Sequence, residues 1–513
     1  MMLTIGDLLQ NIFLMFYLLV LLLLCIYGAH RYHLVYLFHK YKSKHPVIPL
    51  NASEFPRVTI QVPVFNEQYV LERLLRSLCQ LEYPRDRLEV QVLDDSTDET
   101  ASIAKQIVDE MRNQQFNVHY LHRDDRQGYK AGALNAGLNV ARGEFIAIFD
   151  ADFVPDVQFL INTLPYFRDK RVGMVQARWG YLNRRYSLLT RLQAIYLDAH
   201  FIIEHLARNR SGRFFNFNGT AGIWRKDCLI SAGGWESETL TEDLDISYRA
   251  QMAGWRFIFL PDVIAPSELP VEMNSFKLQQ HRWAKGSIQT ALKLLVPMLR
   301  SHHPWKVKLE AVFHLTNNVS YLLMIYLSLS MLPSMIIRFN MGWEETIWID
   351  LVMLLVATAP VTAFYVTAEK ALYKDWWARI LYIPFLMSLG IGLALNNGIA
   401  VIEALFGISS EFKRTPKHGI EGASDSWKNK KYFEKLSFVT IAELLMSLYF
   451  TYAIYLAVVN RVYLGIPFLL LFQFGFSYVF LASVSQRISR FVSNISGSVT
   501  VAQSEIDAQN HNV

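Results

Sequence analysis

The sequence predicts an α/β domain built on a parallel sheet and set between membrane-spanning helices. Three observations carry that prediction. Uncharged apolar runs long enough to cross a bilayer lie towards both ends of the 513-residue chain, while residues 57–307 are polar enough to be soluble. Within that stretch, short continuous apolar runs alternate with amphipathic ones, the pattern of strands covered by helices on both faces. Finally, "EFIAIF" runs straight into "DADFVPD", two carboxylates one residue apart at a strand end, where α/β sheets bind ligands.

Composition sets the outer limits. Hydrophobic residues make up 52% of the chain and charged residues 19%, an apolar excess that the terminal runs account for. A net charge of +5 is mild for this length and suits a membrane surface or an anionic ligand, not a nucleic-acid coat. Cys25, Cys79 and Cys228 are too few and too scattered for a disulfide framework or a thiolate zinc site.

Residues 8–29, "LLQNIFLMFYLLVLLLLCIYGA", carry no charge and are followed by the basic "HRYHLVYLFHKYKSKH". Basic flanks stay in the cytosol, so the N-terminus is read as outside and the next domain as cytosolic. Strands are expected at "RVTIQVPVF", "RLEVQVLDD", "NVHYLHR" and "EFIAIFDAD". Helices are expected between them at "NEQYVLERLLRSLCQL", "STDETASIAKQIVDEMRNQ" and "KAGALNAGLNVA", with Pro155 opening the helix that follows. Residues 311–368 hold two further spans, and residues 436–486 two more, the first of them, Leu436–Asn460, interrupted only by Glu443. The loop "EFKRTPKHGIEGASDSWKNKKYFEK" carries seven Lys or Arg and should stay cytosolic. Ile380–Ser409, with "GIGLALNNGIA", is therefore read as interfacial or re-entrant. Five crossings result, with interfacial helices and a loop over 380–435 and a disordered cytosolic tail over 487–513.

No G-x-G-x-x-G follows the first strand and no G-x-x-x-x-G-K-[ST] occurs, which argues against dinucleotide oxidoreductases and P-loop ATPases. In "VLDDST", Ser96 and Glu99 have capping-box spacing, leaving Asp94 and Asp95 as turn residues or as acceptors for a base or ribose. Asp150 and Asp152 repel one another unless a cation lies between them. Hard oxygen ligands suit Mg²⁺ or Mn²⁺ carrying a diphosphate, and a strand-to-helix turn is the plain alternative. Lys130 opens a helix, beside a phosphate or in solvent. Glu242 and Asp243 fall in the first turn of "TEDLDISYRAQM", as dipole complements or with one of them a general base. Gln279, Arg282 and Trp283 share one helical face, which suits a diphosphate and a sugar ring or else a membrane interface. "FFNFNGTAGIWR" sets Asn216, Asn218 and Thr220 among aromatics, as a close-approach site or a bulge.

Taken in order, "VPVFNE", "LDDS", "KAGALN", "DAD", "FNGTAG", "TED" and "QQHRW" resemble the family-two inverting glycosyltransferases of the cellulose-synthase type, in particular the mannan and glucomannan synthases. The resemblance covers Arg57 to Arg300. It implies a GT-A fold and a multi-pass enzyme of the cell inner membrane with its catalytic domain in the cytosol. The donor would be UDP-glucose or GDP-mannose, used with Mg²⁺ or Mn²⁺, and the acceptor a glycan or a lipid. By motif, Phe65, Glu67 and Asp95, with Asp94 beside it, would contact base and ribose, and Lys130 the phosphates. Asp150 and Asp152 would bind the metal diphosphate. Asp243, beside Glu242, would be the base; Gln279, Arg282 and Trp283 would hold the diphosphate and acceptor end, and Asn218 and Gly219 would face the acceptor. "FKRTPK", Phe412 to Lys417, looks like the gating loop of processive synthases, with Arg414 where an aliphatic residue is usual. A polymer would then pass into the helix bundle. A lipid glycosyltransferase adding one sugar to ceramide or diacylglycerol would share these motifs. A transporter with a regulatory domain conflicts with the scarcity of ionisable residues in the spans.

Overall fold

A computed structural model describes residues 5–48, 55–422, 424–428, 430–432 and 437–510. Residues 423, 429 and 433–435 of the expected interfacial region and 511–513 of the expected tail lie outside the described residues. Among the described residues, seven strands form one sheet: β1 Val58–Val64, β2 Leu88–Asp94, β3 Val118–His122, β4 Phe145–Ile148, β5 Val172–Tyr181, β6 Gly222–Arg225 and β7 Arg256–Ser267. Their spatial order is β3-β2-β1-β4-β6-β5-β7.

The first four strands are parallel, with β1 between β2 and β4 and β3 outside β2. The sheet as a whole is mixed, because β6 runs antiparallel to both β4 and β5 while β5 and β7 pair in parallel. The four strands expected to be parallel are so, and the register shows what the reversal at β6 achieves. Gly222 at the start of β6 pairs with Ile148 at the end of β4. The segment entering β6 therefore arrives at the same edge where β1, β2 and β4 end.

Both faces are covered, as the continuous apolar strands required. Ile60, Val62, Val90 and Val92 pack with helices Leu71–Leu78 and Thr100–Asn113. Ile146, Ile148 and Leu93 face helix Tyr129–Val140 on the other side. Two local expectations fail. The helix after β2 starts at Thr100, where the Asp98 carboxylate accepts from the Thr100 amide, and Ser96 instead accepts from the Asn66 amide, so no capping box forms. Pro155 opens no helix: Asp156 accepts from the Gln158 amide in a turn, and the helix begins at Phe159.

Among the described residues, five helices are long and apolar enough to cross a membrane: Ile5–Tyr41, Trp305–Asn340, Ile347–Leu372, Val439–Val459 and Tyr463–Arg490. Between the third and fourth, Trp376–Gly392 and Ala394–Leu405 form a pair bent by 43° that counts as a sixth if it is one span. Within it, Asn396 donates to the Lys277 carbonyl at 2.9 Å and to Asn397 Oδ1 at 2.9 Å. Glu443, buried in its helix, pairs with Lys277 at 2.7 Å. The tail expected to be disordered continues as helix to Asn510. No proline follows Pro467, and an existing helix extends by one hydrogen bond per residue added.

Candidate active site

The turns at the carboxyl ends of the strands meet in one cavity of about 160 Å³. β1 delivers Phe65 and Glu67, β2 delivers Asp95, β4 delivers Asp150 and Asp152, and the approach to β6 delivers Asn218 and Gly219. Lys130 enters from helix Tyr129–Val140, Glu242 and Asp243 head helix Glu242–Met252, and Gln279, Arg282 and Trp283 project from helix Met273–Arg300. Among the residues singled out, Asn216 and Thr220 do not line this cavity, and neither does Asp94. Asp94 is fully buried, and its oxygens accept from the Ser96 amide at 2.9 Å and the Tyr120 hydroxyl at 2.6 Å, with His122 Nδ1 at 3.3 Å. It shapes the turn and does not line the cavity.

Each strand-end carboxylate has a cationic partner. Lys130 Nζ donates to Asp150 Oδ1 at 2.5 Å and to the Gly219 carbonyl at 3.1 Å. Burial pulls this ammonium's pKa down, but Asp150, Glu242 and Asp243 outweigh it and hold the group above its ordinary value. Lys417 donates to Asp152 Oδ2 at 2.7 Å and to the Glu268 carbonyl. Arg123 grips Asp95 with two bonds of 2.8 and 2.5 Å.

Two carboxyls are poised near neutrality. Burial, reinforced by Glu242, raises Asp243 to about 7, against the opposing pull of Lys130, the Leu244 amide at 2.8 Å and Arg282. Burial also raises Glu67 to about 7, with Asp152 and Asp150 adding and Arg414, 3.6 Å away, opposing. Glu67 Oε2 is buried without a hydrogen-bond partner among the described residues, as an acceptor awaiting a donor would be.

The donor set fits a hard divalent cation that keeps most of its ligands from elsewhere. Asp150 and Asp152 offer oxygen to one cavity, and two ammonium groups now sit on them. Among the described residues no group of three His, Cys, Asp or Glu forms a protein-built cage. Mg²⁺ and Mn²⁺ fit that pattern, since they take phosphate and water oxygens.

Gly219 has φ +78°, and a Cβ there would meet Asp243 Oδ2 at 3.2 Å and Lys130 Nζ at 3.4 Å. Asn218 beside it is held on both sides. His205 Nε2 lies 2.6 Å from its Oδ1 and His200 Nε2 lies 3.1 Å from its Nδ2, while His200 Nδ1 reaches Glu204 at 2.9 Å.

Sequence reasoning missed these histidines, although the i, i+4 spacing of His200 and Glu204 was a legible sign of a shared face. It also missed Arg126, whose guanidinium stacks 3.4 Å over the Phe65 ring and whose Nη2 donates to the Phe412 carbonyl at 3.2 Å. The 412–417 loop closes over these groups. Phe412 lies under Arg282 at 4.5 Å, and Arg414 and Lys417 reach in to Glu67 and Asp152.

A sheet of this kind, with acidic turns at the ends of its strands, is the architecture of GT-A transferases, and residues 56–286 match the model of glycosyltransferase like family 2. The chain belongs to the family-two glycosyltransferases, and its curated relatives are cellulose-synthase-like enzymes. It is 42% identical over 275 residues to glucomannan 4-beta-mannosyltransferase 1 of Oryza sativa subsp. japonica, covering 52% of each chain. It is 33% identical over 393 residues to the probable glucomannan 4-beta-mannosyltransferase 15 of Arabidopsis thaliana, covering 74% of this chain and 73% of that one. The match spans about half the length of the first of these relatives. Among solved structures, the mannosyltransferase PcManGT from Pyrobaculum calidifontis, in complex with GDP-Man and Mn2+, superimposes with a TM-score of 0.52 at 21% identity. That match covers 76% of this chain and all of the other, and is a likeness of fold.

Proposed function

We propose that the protein is a multi-pass membrane hexosyltransferase that uses a nucleotide-diphosphate sugar to elongate a β-linked glycan of the β-1,4-mannan or glucan type. The observation that carries this reading is the meeting, in one cavity, of Asp150 with Lys130, Asp152 with Lys417, and a buried Asp243 raised to about 7. Asp243 and Asn218 also line a second cavity of about 170 Å³, with Trp179, Trp283 and His200, where an acceptor sugar would lie.

In this reading Asp243 removes the proton from the attacking acceptor hydroxyl, a contribution of roughly 10²–10⁴ in rate. Attack from the face opposite the leaving group inverts the anomeric centre in one step. Lys130 and Arg282 hold the diphosphate, Asp95 and Glu67 the ribose and base, and Asn218 orients the acceptor. A divalent cation held by Asp150 and Asp152 would supply charge neutralisation at the departing diphosphate. The mannosyl activity named for the plant relatives favours GDP-mannose over UDP-glucose as the donor. A further cavity of about 260 Å³ within the helices shares Gln280, Asn317 and Asn318 with the acceptor cavity and presents Tyr321 and Tyr365. This supports passage of the product into the bundle.

The test is turnover of radiolabelled GDP-mannose and UDP-glucose by purified protein with Mg²⁺ or Mn²⁺. Insoluble label released by a β-1,4-mannanase is expected. Label that moves into the organic phase as a single-sugar glycolipid would contradict the polymer reading.

A further inference from the structure

Away from the sugar-transfer cavities, where the sheet domain meets the membrane helices, four arginines line an open surface cavity of about 290 Å³. Arg184 and Arg185 follow β5, and Arg191 stands on helix Leu188–Ala199. Asp375, Arg379 and Tyr382 come from the connection between helix Ile347–Leu372 and helix Ile383–Gly392.

Two of these arginines are spoken for. Arg184 pairs with Asp198 at 2.6 Å and Glu369 at 3.4 Å and also donates to the Tyr373 hydroxyl. Arg379 pairs with Asp375 at 3.2 Å and Glu369 at 3.5 Å. The other two are not neutralised in this way. Arg191 donates to the Tyr382 hydroxyl at 2.6 Å. Among the described residues, neither Arg191 nor the exposed Arg185 has a carboxylate within ion-pair distance, and Arg185 acts on Asp375 only through its field. Two uncompensated guanidiniums thus overlook one basin.

The connection that supplies Asp375, Arg379 and Tyr382 also carries exposed apolar side chains that do not themselves line the basin. Trp377 and Leu381, on the same connection, are 69% and 73% exposed. Trp376 stacks on Trp377 at 3.9 Å, with Lys370 over the Trp376 ring at 5.5 Å. Exposed tryptophan and leucine at the end of an apolar helix mark headgroup depth. Basic pockets between helices at that depth bind anionic headgroups, and a guanidinium fork matches the oxygens of a phosphodiester.

We propose that this cavity binds the phosphate of an anionic phospholipid, with Arg185 and Arg191 as its ligands, Tyr382 fixing Arg191, and the acyl chains beside Trp377 and Leu381. The bound lipid joins helix Leu188–Ala199, whose Leu197 lines the donor cavity, to the membrane connection. The proposal rests on the membrane reading of the helices and is independent of the sugar chemistry.

The test is native mass spectrometry of the full chain released from detergent with increasing phosphatidylglycerol or phosphatidylcholine, the latter zwitterionic. Wild-type protein should retain phosphatidylglycerol selectively. An Arg185→Gln/Arg191→Gln variant should bind it about 30-fold more weakly, about fivefold for each arginine at a membrane surface. Equal retention of the two lipids by the wild type overturns the proposal without reference to any variant. Undiminished phosphatidylglycerol binding by the variant also overturns it. Displacement of the lipid by equimolar inorganic phosphate would mark a soluble-anion site and overturn the lipid assignment.

Discussion

Asp243 carries the largest single-residue prediction. Its carboxyl is raised to about 7 by burial and by Glu242, and a general base acts in its deprotonated form. The rate should therefore climb about tenfold per pH unit up to roughly pH 7 and level off above it, since below its pKa the base is mostly protonated. Asp243→Asn should lower turnover by roughly 10²–10⁴ while nucleotide binding persists. A variant with near-normal turnover, assayed from pH 5.5 to 8.5, would remove Asp243 from the proposed role. At this scale the sequence was informative about residue type and weaker on facing. Asp94 and Asp95 read alike as neighbouring carboxylates, yet the fold turns Asp94 inward, where Tyr120 and His122 of the adjacent strand engage it. That pairing joins positions 26 and 28 residues apart, beyond any local spacing rule.

Among the elements, the 412–417 loop and the segment entering β6 decide how the cavity works. Lys417 occupies Asp152, so a divalent cation must displace its ammonium. Lys417→Met should strengthen Mn²⁺ binding to the nucleotide-free protein by about tenfold or more, given that a charge-assisted bond contributes about 1.5–3 kcal/mol. Electron paramagnetic resonance titration reads this directly, and an unchanged Mn²⁺ affinity would mean that Lys417 does not guard the site. At the other wall, Gly219→Ala places a methyl 3.2 Å from the Asp243 carboxylate in a backbone conformation that costs alanine about 1–2 kcal/mol. Turnover should fall more than thermal stability does, and full activity in this variant would argue against close approach at Gly219. The alternation of apolar runs and helices announced the parallel half of the sheet. The antiparallel β6 was not legible, because four residues, Gly222–Arg225, carry no sign of their direction. The gating-type loop was visible as a motif, but that Lys417 and Arg414 reach the acidic turns depends on a fold bringing residues about 265 and 347 positions apart together.

Over the whole molecule, hydropathy located the five long apolar helices, since bilayer thickness sets a length that a sequence displays directly. Five spans would put the two ends of the chain on opposite sides, with the 412–417 loop on the side of the sheet domain. Single cysteines introduced at Asn340 and at Asp124 in sealed vesicles should be labelled by an impermeant reagent from opposite sides. Labelling of both from the same side would contradict the topology.

In the proposed function one cavity performs inverting sugar transfer with Asp243 as the base. The most direct measurement of this is the anomeric configuration of the product, followed by NMR for wild-type protein and for Asp243→Asn, with an α-linked nucleotide-sugar and Mn²⁺. A β-linked product is expected from the wild type and almost none from the variant, with nucleotide still bound by both. An α-linked product, or equal product from both proteins, would contradict it.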